Sequence, residues 1–140
     1  MAPMPEDERK HTRHRIHYIA LAAPFAAFPI LYFLPWNTIY AGIVSFFIGI
    51  IATLACRPDL KAKMWAGGFI FLVYYTILLT GMQWSAPGYI DRVWNLEALL
   101  GVRLLGLPVE ELLFAIGFGT YWSSVYEHFT WSVPVPAGMS

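Results

Sequence analysis

Leu105-Gly-Leu-Pro-Val-Glu-Glu-Leu-Leu-Phe114 leads directly into Ala115-Ile-Gly-Phe-Gly-Thr-Tyr-Trp-Ser-Ser-Val-Tyr-Glu-His128, and two adjacent acids stand where the apolar part begins. An ionised carboxylate is costly in hydrocarbon, so acids at membrane depth are candidates for function. Glu110 and Glu111 also suit a structural role. Pro108 fits the first position of a helix, and the positive helix terminus favours acids in its first turn. The residues by themselves leave both interpretations open.

The remainder of the chain is strongly apolar. Of its 140 residues, 58% are hydrophobic and 13% are charged, whereas a soluble domain is about a quarter charged. The single cysteine excludes an internal disulfide and a cysteine-based metal cluster. This composition predicts an all-α integral membrane protein of one compact unit, which contacts membrane lipid and lies in the inner (cytoplasmic) membrane.

Four apolar stretches have about the 20 residues that are needed to cross a hydrocarbon core. They are residues 16–34, 39–56, 64–82 and 109–129. We therefore predict a four-transmembrane-helix bundle within residues 16–129. Residues 1–15 are predicted to be a disordered cytoplasmic tail, and residues 130–140 are predicted to be a C-terminal tail.

The basic residues indicate how the bundle is oriented. Seven of the nine Lys and Arg residues precede the first apolar stretch or lie in residues 57–63, between the second and third stretches. Cytoplasmic segments of membrane proteins carry an excess of these residues. The chain is therefore predicted to cross the membrane several times and to have both termini in the cytoplasm.

The loop before the last span is too apolar to be a simple polar connection. It occupies residues 83–107, and Trp84, Tyr89 and Trp94 are typical of the membrane interface. Within it, Ile90–Leu100 is predicted to form a short amphipathic interfacial helix. A long connection in a compact unit is often functional.

Residues four positions apart in the last span share one ridge of the predicted helix. The ridge consists of Glu111, Ala115, Gly119, Ser123 and Glu127. Its small members, Ala115, Gly119 and Ser123, predict close helix packing. A second interpretation is a groove for a flat or rod-shaped apolar ligand that is capped by the acid, and the two interpretations are compatible.

Several short motifs follow one another in a recognisable order. They are Trp94-Asn95, Gly101, Leu104, Leu105-Gly106, Pro108-Val-Glu-Glu-Leu-Leu-Phe114, Trp122-Ser123 and Tyr126-Glu127. In this order they resemble the bacterial and archaeal lycopene cyclase domain. Arg57-Pro58-Asp59-Leu60 and Gly67-Gly68 resemble the loop and third span of longer members, so the resemblance extends over about residues 57–128.

The resemblance implies a membrane-embedded enzyme that closes the ends of lycopene-like polyenes into rings. The reaction is redox-neutral: a proton adds to the terminal double bond, the chain attacks the carbocation, and a proton leaves. Glu110 and Glu111 are then the predicted catalytic residues. Burial disfavours the charged form of a carboxyl group, so one can serve as the acid while the other, ionised, stabilises the cation and accepts the proton.

The resemblance also implies a carotenoid or another long isoprenoid as the bound molecule. The predicted substrate-binding residues are Phe114, Phe118, Tyr121, Trp122, Trp94 and Asn95. Aromatic faces of this kind stabilise a transient cation. Apart from a bound carotenoid, no cofactor is expected, and neither a metal site nor a nucleic-acid site is predicted.

Active members of this family combine two such domains, and this chain carries one motif. The resemblance therefore implies a homo-oligomer or a hetero-oligomer with another membrane protein, for which the small-residue ridge offers a seam. An alternative is a non-catalytic small membrane subunit that binds carotenoid or packs at the periphery of a larger pigment–protein or respiratory complex. A third interpretation is a scaffold for another isoprenoid or lipid enzyme.

Overall fold

Helices make up most of the protein in the computed structural model, which describes residues 2–3 and 17–133. The α-helices are α1 (His17–Tyr32), α2 (Thr38–Cys56), α3 (Lys61–Ser85), α4 (Tyr89–Val93) and α5 (Val109–Thr130), and short 3₁₀ helices occur at Pro58–Leu60 and Leu96–Ala98. Two antiparallel pairs of short strands join β1 (Ala2–Pro3) to β4 (Ser132–Val133) and β2 (Arg103–Leu104) to β3 (Leu107–Pro108). The predicted tails lie mostly outside the described residues.

Within the described part of the chain, two helical segments are long and apolar enough to cross a membrane. They are Thr38–Cys56 and Pro58–Ser85, and they coincide with the predicted second and third spans. Helix α1 is apolar but has only 16 residues, and α5 has 22 residues but is less apolar. The two apolar helices indicate membrane association, and the bundle of four crossings stays a prediction.

Helix α5 lies at the centre of the fold. It packs against α3 on one side and α2 on the other, and α1 packs mainly on α2. Glycines permit the closest approaches. A Cβ on Gly119 of α5 would lie 3.0 Å from the carbonyl oxygen of Gly67 in α3, and one on Gly49 of α2 would lie 2.9 Å from Cγ of Pro24 in α1. The helix α1 continues through both Pro24 and Pro29.

The connecting segment, residues 86–108, contains a short helix as predicted, but the predicted extent of Ile90–Leu100 is wrong. Helix α4 ends at Val93, and Leu99 is extended, with φ −109° and ψ 169°. A helix through this region would bond the Leu100 amide to the carbonyl four residues earlier. Instead, that amide donates to Oε1 of Glu110 at 2.7 Å, so a contact with α5 replaces the helical bond.

A tight hairpin then leads into α5. Leu105 and Gly106 both have positive φ angles, 55° and 79°, at the turn between β2 and β3. Such angles at both central residues belong to the turns that join antiparallel strands closely. Pro108 is extended, with φ −58° and ψ 136°, and α5 begins at Val109. The prediction that Pro108 occupies the first helical position is therefore wrong by one residue.

Candidate active site

Glu111 lies at the first turn of α5 and is only 2% exposed. Its Oε2 accepts a hydrogen bond from the Tyr75 hydroxyl of α3 at 2.8 Å. The side chain lines a cavity between α1, α2, α3 and α5, which we call the Glu111 cavity. A carboxyl group is thus presented to a partly open cavity, with a tyrosine hydroxyl as its hydrogen-bond donor.

Glu110 is equally buried, but its carboxyl group contacts other parts of the chain. Its Oε1 accepts hydrogen bonds from the Tyr40 hydroxyl of α2 at 2.9 Å and from the Leu100 amide at 2.7 Å. It does not line the Glu111 cavity. Successive residues of an α-helix point about 100° apart, because one turn holds about 3.6 residues. The two adjacent carboxyl groups are therefore directed to different neighbours.

The Glu111 cavity has a volume of about 610 Å³ and is mostly apolar. That volume is within the usual range for a small-molecule site, and such sites combine an apolar lining with a few polar groups. Aromatic side chains come from α1, α2, the connecting segment and α5, and they are Phe25, Phe28, Phe46, Trp94 and Phe114. The cavity therefore suits an apolar ligand that meets one acid.

Aromatic rings continue along the same face of α5. Phe114, Phe118 and Trp122 follow Glu111 at spacings of three, four and four residues, which places them on one side of a helix. The Phe118 ring centroid lies 6.3 Å from Phe114 and 5.8 Å from Trp122. It also lies 5.5 Å from Phe46 of α2. This set of α5 residues, the aromatic stripe, runs between α2 and α3.

The part of the aromatic stripe that contains Phe118 and Trp122 borders a second groove. This α3–α5 groove has a volume of about 370 Å³ and is lined by Phe71, Tyr74, Phe118 and Trp122, among others. Phe71 and Phe118 lie in contact, with ring centroids 5.0 Å apart. An apolar surface therefore extends from Glu111 towards the far end of α5.

A sequence model described as lycopene cyclase matches residues 37–129. The chain belongs to the lycopene cyclase family. The match spans α2 to α5 and includes both glutamates, and it supports a function related to carotenoid cyclisation and a role in carotenoid biosynthesis. Among curated proteins and among solved structures, no match to the chain is found.

The predicted substrate-binding residues do not all lie in one cavity. Trp94 and Phe114 line the Glu111 cavity, and Phe118 and Trp122 line the α3–α5 groove. Asn95 lines a neighbouring, more polar groove that shares Asn37 and Thr38 with the Glu111 cavity. Tyr121 is fully buried, and its hydroxyl donates to the Leu21 carbonyl of α1 at 2.5 Å.

The small-residue ridge is used within this lycopene cyclase chain. Ala115 and Gly119 are buried, and Gly119 lies against Gly67 of α3. Ser123 also lies beside Gly67, so a Cβ at that glycine would collide with the serine. Helix α3 thus occupies the seam that was predicted for a partner chain, and the half-buried aromatic stripe lies beside it.

The sequence interpretation missed Tyr40 and Tyr75, the two tyrosines that bind the glutamates. The hydroxyl group of each tyrosine donates a hydrogen bond to one of the glutamates. A signal was present for Tyr75, which lies in the middle of an apolar stretch, where a hydroxyl needs a partner inside the protein. The identity of that partner is not a local property of the sequence.

A second cluster of buried polar groups lies at the other end of α5. Glu127 is fully buried and forms an ion pair with Lys63. Arg57 donates to the Glu127 carbonyl oxygen at 3.2 Å, pairs with Asp59 at 2.7 Å, and lies 4.8 Å from the Trp131 ring centroid. Within residues 17–133, no group of three His, Cys, Asp or Glu side chains has the arrangement of a metal site.

Proposed function

We propose that this protein is a membrane-embedded subunit of a carotenoid cyclase that closes the end of a linear polyene into a ring. The observation that carries the proposal is Glu111, a buried acid at the wall of an aromatic-lined cavity of about 610 Å³. Membership of the lycopene cyclase family supplies the reaction class. The substrate is lycopene or another long isoprenoid with a terminal double bond.

In this proposal, protonated Glu111 donates its proton to the terminal double bond of the polyene and leaves a carbocation. A double bond further along the chain attacks the cation, which forms the carbon–carbon bond of the ring. Loss of a proton from the adjacent carbon to the carboxylate then restores the ring double bond. No electron is gained or lost, and the acid is regenerated.

Tyr75 orients the acid in this scheme. Its hydroxyl binds Oε2 of Glu111 at 2.8 Å, so Oε1 is the oxygen left to exchange a proton with the substrate. A second-residue contact of this kind limits the rotation of the carboxyl group and keeps it in reach of a bound double bond. Tyr75 also lines the cavity itself.

The aromatic lining has two tasks in the proposed reaction. The faces of Phe46, Trp94 and Phe114 stabilise the positive charge by cation–π attraction. Because they are apolar, they also exclude water, which would otherwise trap the cation as an alcohol. An acid in an apolar, aromatic space is therefore suited to a carbocation reaction.

The unreacted part of the polyene is proposed to lie along the aromatic stripe. Glu111 and Trp122 are eleven residues apart, which corresponds to about 16 Å along a helix axis. A rod-shaped polyene with its end in the Glu111 cavity would pass Phe118 and reach the α3–α5 groove. The open, apolar character of that groove supports this placement.

We further propose a multi-pass protein of the inner membrane with both termini in the cytoplasm. The antiparallel pairing of residues 2–3 with residues 132–133 supports termini on one side. Because this chain carries one motif, we propose that it works as a homo- or hetero-oligomer with a second membrane domain.

The test is expression in a bacterial host that accumulates lycopene, with the chain produced singly and as a tandem fusion of two copies. Pigments are separated by chromatography from whole cells and from the purified protein. We expect cyclic carotenoid from the wild type and linear lycopene from Glu111→Gln, with Glu127→Gln as the matched control at the other end of α5.

The remaining outcomes separate the alternatives. If lycopene co-purifies with both the single chain and the tandem fusion but stays linear, the protein is a carotenoid-binding subunit without catalysis, and the cyclase proposal fails. If the protein is stably inserted and neither binds nor converts lycopene, the placement of a polyene along the aromatic stripe is overturned as well.

A further inference from the structure

We propose that Glu110 is a positioning residue, distinct in role from Glu111, which latches the connecting segment over the Glu111 cavity. It acts as a hydrogen-bond acceptor, and its proton takes no part in the reaction. The structural half of the inference stands by itself. Its catalytic half rests on the proposed function, because it concerns how Trp94 is held beside the reacting polyene.

The first observation is that one oxygen of Glu110 joins three parts of the chain. Oε1 accepts from the Tyr40 hydroxyl in α2 and from the Leu100 amide in the connecting segment, while the residue itself belongs to α5. The side chain is 1% exposed, so water does not compete for these bonds. Glu110 therefore closes a junction between α2, α5 and the segment.

The second observation is that the segment is exposed at Leu100 itself, and its other contacts lie on either side of that residue. Leu100 is 70% exposed, and the residues that follow it up to Gly106 are exposed as well. The nearer part of the segment is held by Ile90, which is fully buried and whose amide donates to Gln83 at 3.1 Å. Further along, the Val109 amide at the start of α5 donates to the Val102 carbonyl oxygen at 3.0 Å. The bond from the Leu100 amide to Glu110 is therefore the side-chain anchor that joins the stretch between Ile90 and Val102 to α5.

The third observation concerns Trp94, which the segment contributes to the Glu111 cavity. Its indole nitrogen is buried and has no hydrogen-bond partner. Trp94 packs beside a small apolar cluster that includes Leu79, Ile90, Leu107 and Leu112. Because no polar bond fixes the indole, its position depends on this packing and on the backbone that carries it. Anchoring Leu100, six residues further on, restrains that backbone.

The bonding of Glu110 also defines a discriminating substitution. Both hydrogen bonds end on Oε1, and Oε2 is buried without a partner. A glutamine at this position keeps an oxygen that can accept both bonds and places its amide group where no bond is lost. Glu110→Gln therefore retains the latch and removes the acid, whereas Glu110→Ala removes both.

The first experiment measures the latch directly by limited trypsin digestion of the full chain in membranes. Arg92 and Arg103 lie in the connecting segment and are exposed, and the fragments cut there are identified by mass. We expect Glu110→Ala to be cut about tenfold faster than the wild type, because two buried hydrogen bonds are lost. Glu110→Gln should stay within about threefold of the wild type. Equal cleavage of Glu110→Ala and wild type would overturn the latch.

The second experiment measures lycopene conversion by the same variants at several substrate levels. We expect Glu110→Ala to raise KM more than it lowers kcat, because the site is loosened while its acid remains. Glu110→Gln should restore most of the rate, and Glu111→Gln should lower kcat while its segment stays resistant to trypsin. If Glu110→Gln is as inactive as Glu111→Gln while its segment is still protected, Glu110 acts through its proton or charge, and the proposal is wrong. A wild type that converts nothing refutes the proposed function and leaves the trypsin result to decide the latch.

Discussion

The two ends of α5 both bury carboxyl groups, but they surround them differently. At one end, Glu127 forms an ion pair with Lys63, and the Arg57 guanidinium binds the carbonyl oxygen of the same residue. At the other end, the hydrogen-bond donors to Glu110 and Glu111 are neutral: two tyrosine hydroxyls and one backbone amide. Among the described residues, neither of these two glutamates is in an ion pair.

The difference teaches what each end can do. A neighbouring cation favours the charged carboxylate, so the ion pair with Lys63 suits a structural role for Glu127 in the packing of α5 against α3. A carboxyl group that faces an apolar cavity and meets only neutral donors is free to carry a proton into it. The comparison therefore supports the proposal that the Glu127 end is structural and that the Glu111 end carries out the acid chemistry.

We expect the largest effect from Glu111→Gln, which tests whether the acid chemistry lies at the Glu111 end of α5. Removal of a general acid costs about a hundredfold or more in rate, so cyclic product should fall below detection by pigment chromatography. Glu127→Gln is the control and should convert lycopene in proportion to the amount of folded protein. If Glu127→Gln is inactive and Glu111→Gln is active, the chemistry lies at the Glu127 end, and the assignment of the two ends is wrong.

The second prediction concerns the stability of the Glu127 end. Lys63→Met leaves a buried carboxylate without its cation, and we expect a loss of about 1–3 kcal/mol, since Lys63 itself is partly exposed. The measurement is the thermal aggregation midpoint in detergent. The double variant Lys63→Met/Glu127→Met should recover most of the loss, because an apolar pair needs no charge compensation. A double variant as unstable as the single one would contradict this role of the ion pair.

The third prediction sharpens the assignment within the Glu111 end. Tyr75→Phe removes the hydroxyl that donates to Glu111 and should lower the conversion rate about tenfold. Tyr40→Phe should have a smaller effect, about threefold, because the Leu100 amide still donates to Glu110. Initial rates in isolated membranes test the order of the two variants. If Tyr40→Phe proves the more damaging, Glu110 lies closer to the chemistry than proposed.

The smallest effect is expected from Gly42→Ala, which tests the shape of the Glu111 cavity. The added methyl group would lie 3.1 Å from the Phe114 ring, so the ring must shift by a few tenths of an ångström. We expect a loss of about twofold to fivefold in rate, as a tight contact of this kind costs little when the ring can move. Gly81→Ala is the control, because its methyl group would meet no atom within 4 Å.

The main helices could be predicted from the sequence. Spans at residues 39–56 and 64–82 correspond to helices at Thr38–Cys56 and Lys61–Ser85. The predicted last span, residues 109–129, corresponds to the helix Val109–Thr130, although Pro108 lies just before that helix and not in its first position. These agreements follow from a local cause, since the length of an apolar stretch and its flanking breakers lie next to one another in the chain.

The connecting segment could not be predicted in the same way. Its apolar spacing favoured a helix at Ile90–Leu100, but the Leu100 amide is bound by a side chain ten residues further on. The positive φ of Leu105, a residue that rarely adopts such angles, arises from the hairpin that its neighbours form. In both places, a bond between distant or folded-back parts of the chain outweighs local preference.

The candidate site could also be predicted only in part from the sequence. The sequence predicted Glu111, Trp94 and Phe114, and the structure places all three around one cavity. It also predicted Glu110 as an equal partner, which the structure directs elsewhere. The tyrosines were missed because their bonds to the glutamates join residues 70 and 36 positions apart, a relation that no spacing rule contains.

The sequence by itself determined the apolar helices, the family and the adjacent pair of acids, because these depend on composition and on neighbouring residues. Only the tertiary structure decided which acid faces the cavity. Adjacent residues of a helix point in different directions, and the packing of α2 and α3 around α5 settles what each direction meets. That packing encloses Glu111 with aromatic rings and ties Glu110 to the connecting segment.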